Sequence, residues 1–382
     1  MGDGDILGHA ITRRRFLAAS VVTVGAAVSL GVSQCDPYMV RKIQQDKSGR
    51  LAAHTVWVWQ FASDGGLDSI AEQLQGKGVG VLLKTHDGLD WMSKYDHHPD
   101  SITGPERARN VGLYFEDRGI PYHAWCVVKG IDPEREAEMC AQVLEAGART
   151  LVIDLEGGSG FWSGTPDDAR RFGDRLRTLA PYGRVDISVD PRPWRINLVP
   201  MAEFVSMSDG IWPQLYWDTF NTPGNYDGYR AAGFALPAEG TTPEFLLDAT
   251  SQVLAPYERP IIPIGQGAAS DPQTWPRFTH RAWELGQYEV SVWRLGVTRG
   301  ETVAYLGVNP PGAEPVAPPP TATATPNEKT KTSTPTKTPK PTKTPTRTST
   351  PTRTASSTPL PSTATATPTP AASSTATATP MP

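Results

Sequence analysis

Residues 151–162 read LVIDLEGGSGFW. Two carboxylates, Asp154 and Glu156, stand one residue apart in a hydrophobic run that closes on paired glycines. An acid is costly inside such a run unless it has a partner or a task. In an extended chain, residues two apart share a face, with Cα atoms about 6–7 Å apart. Repulsion at that spacing raises one pKa and keeps one acid protonated near neutral pH. A protonated acid beside a carboxylate is what cleavage of a glycosidic bond requires of its general acid.

Such a pair needs a rigid strand and neighbours. β-rich runs recur at TVWVWQF (55–61), GVLLKT (80–85), YHAWCVV (122–128), TLVIDLE (150–156), RVDISVD (184–190), GIWPQLYW (210–217), PIIPIGQ (260–266) and EVSVWRL (289–295). Helical stretches separate them. LDSIAEQLQGKG and PEREAEMCAQVLEAG space their apolar residues three to four apart and end in glycine. TPDDARRFGDRLRTLAP opens on an N-cap threonine followed by proline. Eight strand–helix alternations over about 250 residues predict an α/β fold, a single parallel (β/α)₈ TIM barrel spanning 54–313. An open doubly wound sheet would carry a glycine fingerprint after its first strand if it bound nucleotides, and none is present. The long Gly/Pro-rich connection 218–259 is expected to cover part of the barrel mouth.

Alternation along each strand then selects the lumen face. In the fourth strand Val152, Asp154 and Glu156 point inward, and Gly157-Gly158 marks the carboxyl end, where barrels place their chemistry. Asp186, Ser188 and Asp190 follow on the fifth strand, Gln214 and Tyr216 on the sixth, and Ile262, Ile264 and Gln266 on the seventh. On the eighth strand the inner set is either Trp293 with Ser291 or Val290 with Val292, Lys84 points inward, and the first strand offers either Gln60 or Trp57 and Trp59. The expected mouth therefore joins Lys84, Asp154, Glu156, Asp190, Gln214, Tyr216, Gln266 and Trp293. Aromatic rings there would stack on sugar faces, while Gln and Asp would bind hydroxyl or acetamido groups. Asp190, one strand over at a spacing of about 5 Å, offers an alternative second carboxylate.

The chain ends differ from this core. TRRRFLAASVVTVGAAVSLGVSQC combines twin arginines, Phe-Leu and a weakly apolar stretch, a pattern resembling a twin-arginine export signal over 1–35. Residues 36–53 form a linker. An uncleaved membrane anchor or lipidation at Cys35 are variants of the same placement, although Val-Ser-Gln before Cys35 departs from a lipoprotein pattern. Residues 314–382 are nearly all Thr, Pro, Ala, Ser, Lys and Arg, which predicts a disordered extracellular spacer. Residues 1–50 carry 7 basic and 4 acidic side chains, residues 314–382 carry 7 and 2, and residues 51–313 carry 22 and 34. An acidic core of that kind excludes nucleic acid as the partner. No Cys/His cluster has zinc spacing, so neither metal nor cofactor is implied, and Cys126 and Cys140 are expected as two separate buried thiols, with a disulfide between them outside the cell as the alternative. Oligomeric state is not legible.

The barrel resembles the family 18 (chitinase-like) and family 25 (lysozyme-like) glycoside hydrolases, which carry an Asp-x-Glu at the end of the fourth strand, here Asp154-Leu155-Glu156. The chitinase-like proteins add a polar-x-Tyr on the sixth strand, here Gln214-Leu215-Tyr216, and a tryptophan on the eighth, here Trp293. Their signature extends upstream with further aspartates, where this chain has Arg149 and Val152. The whole chain also resembles exported glycosidase-like barrel proteins of bacteria, through VWVWQ, PQLYW and PIIPIGQ. The resemblance implies hydrolysis of a cell-wall or extracellular polysaccharide such as peptidoglycan. Glu156 would be the general acid/base, Asp154 its orienting partner and Tyr216 the stabiliser of an oxazoline-like intermediate. The alternative is a noncatalytic carbohydrate-binding or cell-surface barrel.

Overall fold

The computed structural model describes residues 53–316 apart from 270 and 272. The twin-arginine segment, nearly all of the linker and most of the Thr/Pro tail therefore lie outside the described residues. Eight barrel strands follow the expected order: β1 His54–Val58, β2 Val79–Asp87, β3 Tyr122–Val127, β4 Leu151–Leu155, β5 Val185–Val189, β6 Gly210–Leu215, β7 Ile264–Gln266 and β8 Ser291–Trp293. Each pairs in parallel with the next, and β1 closes the ring against both β2 and β8. A two-residue strand, Asp90–Trp91, folds back antiparallel on the end of β2.

Most strands are shorter than the hydrophobic runs that announce them, and at two of them the cause is plain. β1 stops at Val58 because the Asp64 carboxylate takes the N–H of Trp59 at 2.6 Å, removing it from the ladder. In the seventh run Pro260 and Pro263 lack donors, so Ile261 makes only an isolated bridge to Ile211 and β7 begins at Ile264.

Besides two four-residue helices, Phe61–Asp64 and Trp217–Phe220, the helices are α1 Leu67–Leu74, α2 Pro105–Glu116, α3 Pro133–Glu145, α4 Pro166–Leu179, α5 Met201–Met207, α6 Pro223–Ala231, α7 Pro243–Leu254, α8 Thr274–Glu284 and α9 Gly300–Val308. Five of them start on proline, which lacks the N–H a first turn would leave unpaired. α4 carries a full capping box: Thr165 Oγ1 accepts from Asp168 N at 3.2 Å, and Asp168 Oδ2 accepts from Thr165 N at 2.7 Å. The connection 218–259 lines no part of the cavity at the mouth, although Asn225 meets Arg192 in the loop after β5. Its apolar residues fold it into α6 and α7, and α7 packs on β6 at the barrel's flank.

Apolar side chains divide into two cores. The larger one lies between strands and helices, whereas Trp57, Leu82, Trp125, Val127, Val152, Trp212, Ile262 and Ile264 fill the lumen. Trp57 faces inward, settling the first strand in favour of tryptophan over Gln60. Its ring lies 5.0 Å from Trp125, 6.2 Å from Trp212 and 5.5 Å from Trp293. β2 carries a bulge. Lys84 is opposite Trp125 and His86 is opposite Cys126, which leaves Thr85 as the extra residue. A bulge reverses alternation beyond it, so Lys84 and Asp87 both face the mouth while His86 turns toward the helices.

Candidate active site

The carboxyl ends of the strands surround a cavity of about 460 Å³, a size suited to a small ligand. Lys84, Asp154, Glu156, Gln214, Tyr216 and Trp293 all line it, as alternation predicts. Trp57, Trp59, Trp125 and Phe161 complete its aromatic wall. Trp59, 37% exposed, forms the rim and carries the Arg294 guanidinium 5.2 Å from its ring centre. The Trp293–Arg294 peptide at the same rim is cis.

Asp154 and Glu156 are joined by one amide. Gln214 Nε2 donates to Asp154 Oδ1 at 3.0 Å and to Glu156 Oε1 at 3.2 Å, with Ser188 Oγ 3.3 Å away. Asp154 is buried, whereas Glu156 is partly exposed. Burial, and then the negative Glu156 beside it, push the Asp154 carboxyl up to about 7, against the opposing pull of Ser188, Lys84 and Gln214. The expected repulsion therefore acts on the inner acid of the pair. Tyr216 is also pushed well above the usual phenol range, first by burial and then by Asp154, Glu156 and Asp190. Its hydroxyl is a proton-bearing donor at any ordinary pH.

Opposite the acids, Asp87 bridges two ammonium groups, Lys84 Nζ at 2.7 Å and Lys129 Nζ at 2.6 Å. Burial alone would raise the Asp87 carboxyl, but hydrogen bonds from Lys129 and Lys84 hold it below the usual range. Lys84 also lies 4.9 Å over the Trp125 ring. This wall explains how a buried lysine is tolerated: its charge is paired and rests on an aromatic face.

Two expected site residues stand apart from the cavity. Asp190 is engaged by Arg192, with Nε at 2.9 Å from Oδ1 and Nη2 at 2.5 Å from Oδ2, and by Arg195 Nε at 3.4 Å. A carboxylate held this way is a poor second acid for Glu156. Gln266 Oε1 accepts from the N–H groups of Asp218 and Thr219 at 3.1 and 3.2 Å, fixing the loop after β6. Alternation placed Ser188 on the lumen face, but Asp87, Lys129, Phe161 and Trp125 were not expected as wall residues. Asp87 was hidden by the bulge, and Lys129 and Phe161 lie beyond strand ends where alternation carries no information.

A larger groove, about 700 Å³, lies at the opposite end of the barrel. Its Arg177 and Arg259 donate to the backbone carbonyls of Met207, Gly183, Ser208 and Val205, so they serve the fold.

No protein-family model matches the sequence, and no curated protein does. Solved structures that align include the catalytic domain of a hyperthermophilic chitinase from Pyrococcus furiosus, with a TM-score of 0.45 and 13% identity over 68% of this chain and 95% of that one. A glycoside hydrolase family 18 N-acetylglucosaminidase from Paenibacillus barengoltzii aligns with a TM-score of 0.44 and 10% identity, over 67% of this chain and 98% of that one. The catalytic domain of a mannanase from Streptomyces sp. SirexAA-E gives 0.40 and 12%, over 64% and 74%. Likeness this distant carries no functional argument.

Proposed function

We propose that the barrel is a glycoside hydrolase acting on an extracellular or cell-wall polysaccharide that contains N-acetylhexosamine. The observation that supports it is the acid pair: Asp154, raised to about 7, and the more exposed Glu156 share the Gln214 amide at the base of a tryptophan-walled cavity. Near neutral pH such a pair holds one proton between two carboxyls. Glu156, nearer solvent, delivers that proton to the glycosidic oxygen as the C1–O bond breaks. In substrate-assisted hydrolysis the acetamido oxygen takes the place of the leaving group at C1. The Glu156 carboxylate then removes a proton from the water that opens this ring, which returns the proton to the enzyme. Tyr216 donates to the acetamido-derived intermediate, and Asp154 with Gln214 keeps Glu156 oriented. Trp57, Trp59, Trp125 and Trp293 supply apolar faces for the sugar rings.

Incubation of the purified chain with chitin oligosaccharides and with peptidoglycan fragments tests this, reading new reducing ends. Release from one of these polymers is expected, and Glu156→Gln should lower it by roughly 10²–10⁴-fold without abolishing sugar binding. Binding without turnover in the unaltered chain would establish the noncatalytic alternative. Neither binding nor turnover on any polymer would remove the proposal.

A further inference from the structure

The most concentrated unused chemistry lies outside the lumen, where β2, β3 and α3 meet. His86, Cys126 and Cys140 are each fully buried there, and one donor atom from each lies within 4.8 Å of the other two. Cys126 Sγ is 3.7 Å from Cys140 Sγ, which in turn is 3.6 Å from His86 Nε2. Both cysteines are buried, unpaired thiols, as expected, and they are neighbours. Cys126 points outward from β3 onto the inner face of α3, which presents Cys140.

Three features go beyond what packing alone needs. The first is the β2 bulge. Without Thr85 as the extra residue, His86 would follow Lys84 into the lumen; with it, His86 stands opposite Cys126 on the helix side. The second is the tautomer. Thr85 Oγ1 donates to the Trp125 carbonyl at 3.2 Å, so at 2.9 Å from His86 Nδ1 it acts as acceptor. The ring proton then sits on Nδ1, and the Nε2 lone pair faces sulfur. A hydroxyl or carbonyl that fixes the remote nitrogen is the usual support for a ligating imidazole. The third is spacing. A tetrahedral centre with metal–sulfur bonds of ~2.3 Å and metal–nitrogen bonds of ~2.0 Å has S···S and S···N edges of about 3.8 and 3.5 Å, close to the Cys126–Cys140 and Cys140–His86 separations.

We propose that His86 Nε2, Cys126 Sγ and Cys140 Sγ form a binding site for a thiophilic d¹⁰ cation, Zn(II) or Cu(I). Two thiolates and an imidazole are the soft donor set these ions share. The cation displaces one proton from each thiol, and with Zn(II) the charges of the site then sum to zero, as a buried site requires. Among the described residues no further His, Cys, Asp or Glu joins the three. Three donors complete a Cu(I) shell, whereas Zn(II) takes a water as its fourth ligand. The site ties two strands to a helix, so its role is structural and independent of the hydrolase proposal. Spacing in sequence could not reveal it, because 86, 126 and 140 lie on three separate elements.

Because the donors are fully buried, loading belongs to folding. The reduced full chain is therefore refolded with excess Zn(II) in one arm and Cu(I) in the other, desalted, and analysed for bound metal. About one equivalent per chain is expected in one arm, falling at least tenfold in Cys140→Ser and in His86→Gln at equal folded fraction by circular dichroism. If these variants do not fold, Co(II) refolding of the unaltered chain decides instead: intense thiolate-to-cobalt absorption supports the site, and its absence overturns it. Retention below about 0.1 equivalent of both ions by folded, unaltered protein also overturns it. So does a Cys126–Cys140 disulfide found by peptide mapping of protein purified under air.

Discussion

Asp154 and Glu156 are chemically similar but unequally placed, since one turn of the pleat carries the chain from the lumen wall to its rim. The inner carboxyl, raised from 3.8 to about 7, is neutral in the fold where the unfolded chain would ionise it. Its folded pKa lies above its unfolded value, so its contribution to stability is complete below about pH 4 and is lost as pH rises through about 7. A shift of that size corresponds to about 4 kcal/mol as an order of magnitude. Asp154→Asn is therefore expected to match the parent in thermal midpoint near pH 4 and to exceed it by several degrees at pH 8, while losing at least tenfold in turnover. Scanning calorimetry at both pH values checks this, and equal midpoints at pH 8 would contradict a buried carboxyl raised to about 7. Alternation made six of the eight expected site residues legible, because lumen-facing polar groups stand out against buried Val and Ile. Asp190 and Gln266 obey the same alternation, yet Arg192 and the loop after β6 engage them first. Alternation reveals the face of a residue and is silent about its partner.

Among elements, β2 is the one whose sequence misleads. GVLLKTHD shows unbroken alternation through Lys84, and nothing in the letters marks Thr85 as the extra residue. The bulge depends on how β2 must meet β3, a tertiary constraint that local pattern does not encode. It couples two sites by geometry: the same residue shift that brings Asp87 to Lys84 and Lys129 brings His86 to the thiols. The start of α4 is the opposite case, legible from TPDD alone because capping is local chemistry. Thr165→Ala removes one side of the reciprocal box, with an expected loss of about 1 kcal/mol. In a domain of this size that lowers the thermal midpoint by roughly 2–4 °C. Calorimetry reads the shift, and an unchanged midpoint would mean that the Asp168 interaction and Pro166 hold the turn unaided.

At the scale of the molecule, eight alternations announced the closed ring, while the strand ends followed from proline and side-chain hydrogen bonds not legible from pattern. Closure is also chemical. His54 Nε2 lies 2.7 Å from the Asn309 carbonyl, and Val290 N donates to His54 Nδ1 at 3.1 Å, a pair of contacts only a neutral ring can make. Burial lowers His54 from 6.5 to about 4, and burial followed by Arg149 and Arg184 lowers His123 to about 3. For these depressed bases the stability is present above pH 6.5 and is lost as pH falls toward the folded values, opposite in sign to Asp154. The two histidines outweigh the single acid below pH 6.5, so maximal stability is expected at about pH 6–7. His123→Leu, which removes a buried ring whose two nitrogens have no partner among the described residues, should flatten the acid limb of the midpoint–pH curve. An unchanged limb would place the acid sensitivity elsewhere. The His54–Asn309 contact spans 255 positions of chain. The pairing that closes the ring is nearly as distant, Thr55 with Ser291, so a ribosome must have made β8 before the first strand can acquire its second neighbour, and until then β1 is an open edge. The nascent barrel is thus exposed to mispairing for most of its synthesis, a burden that falls on the chaperones of the compartment where it is translated.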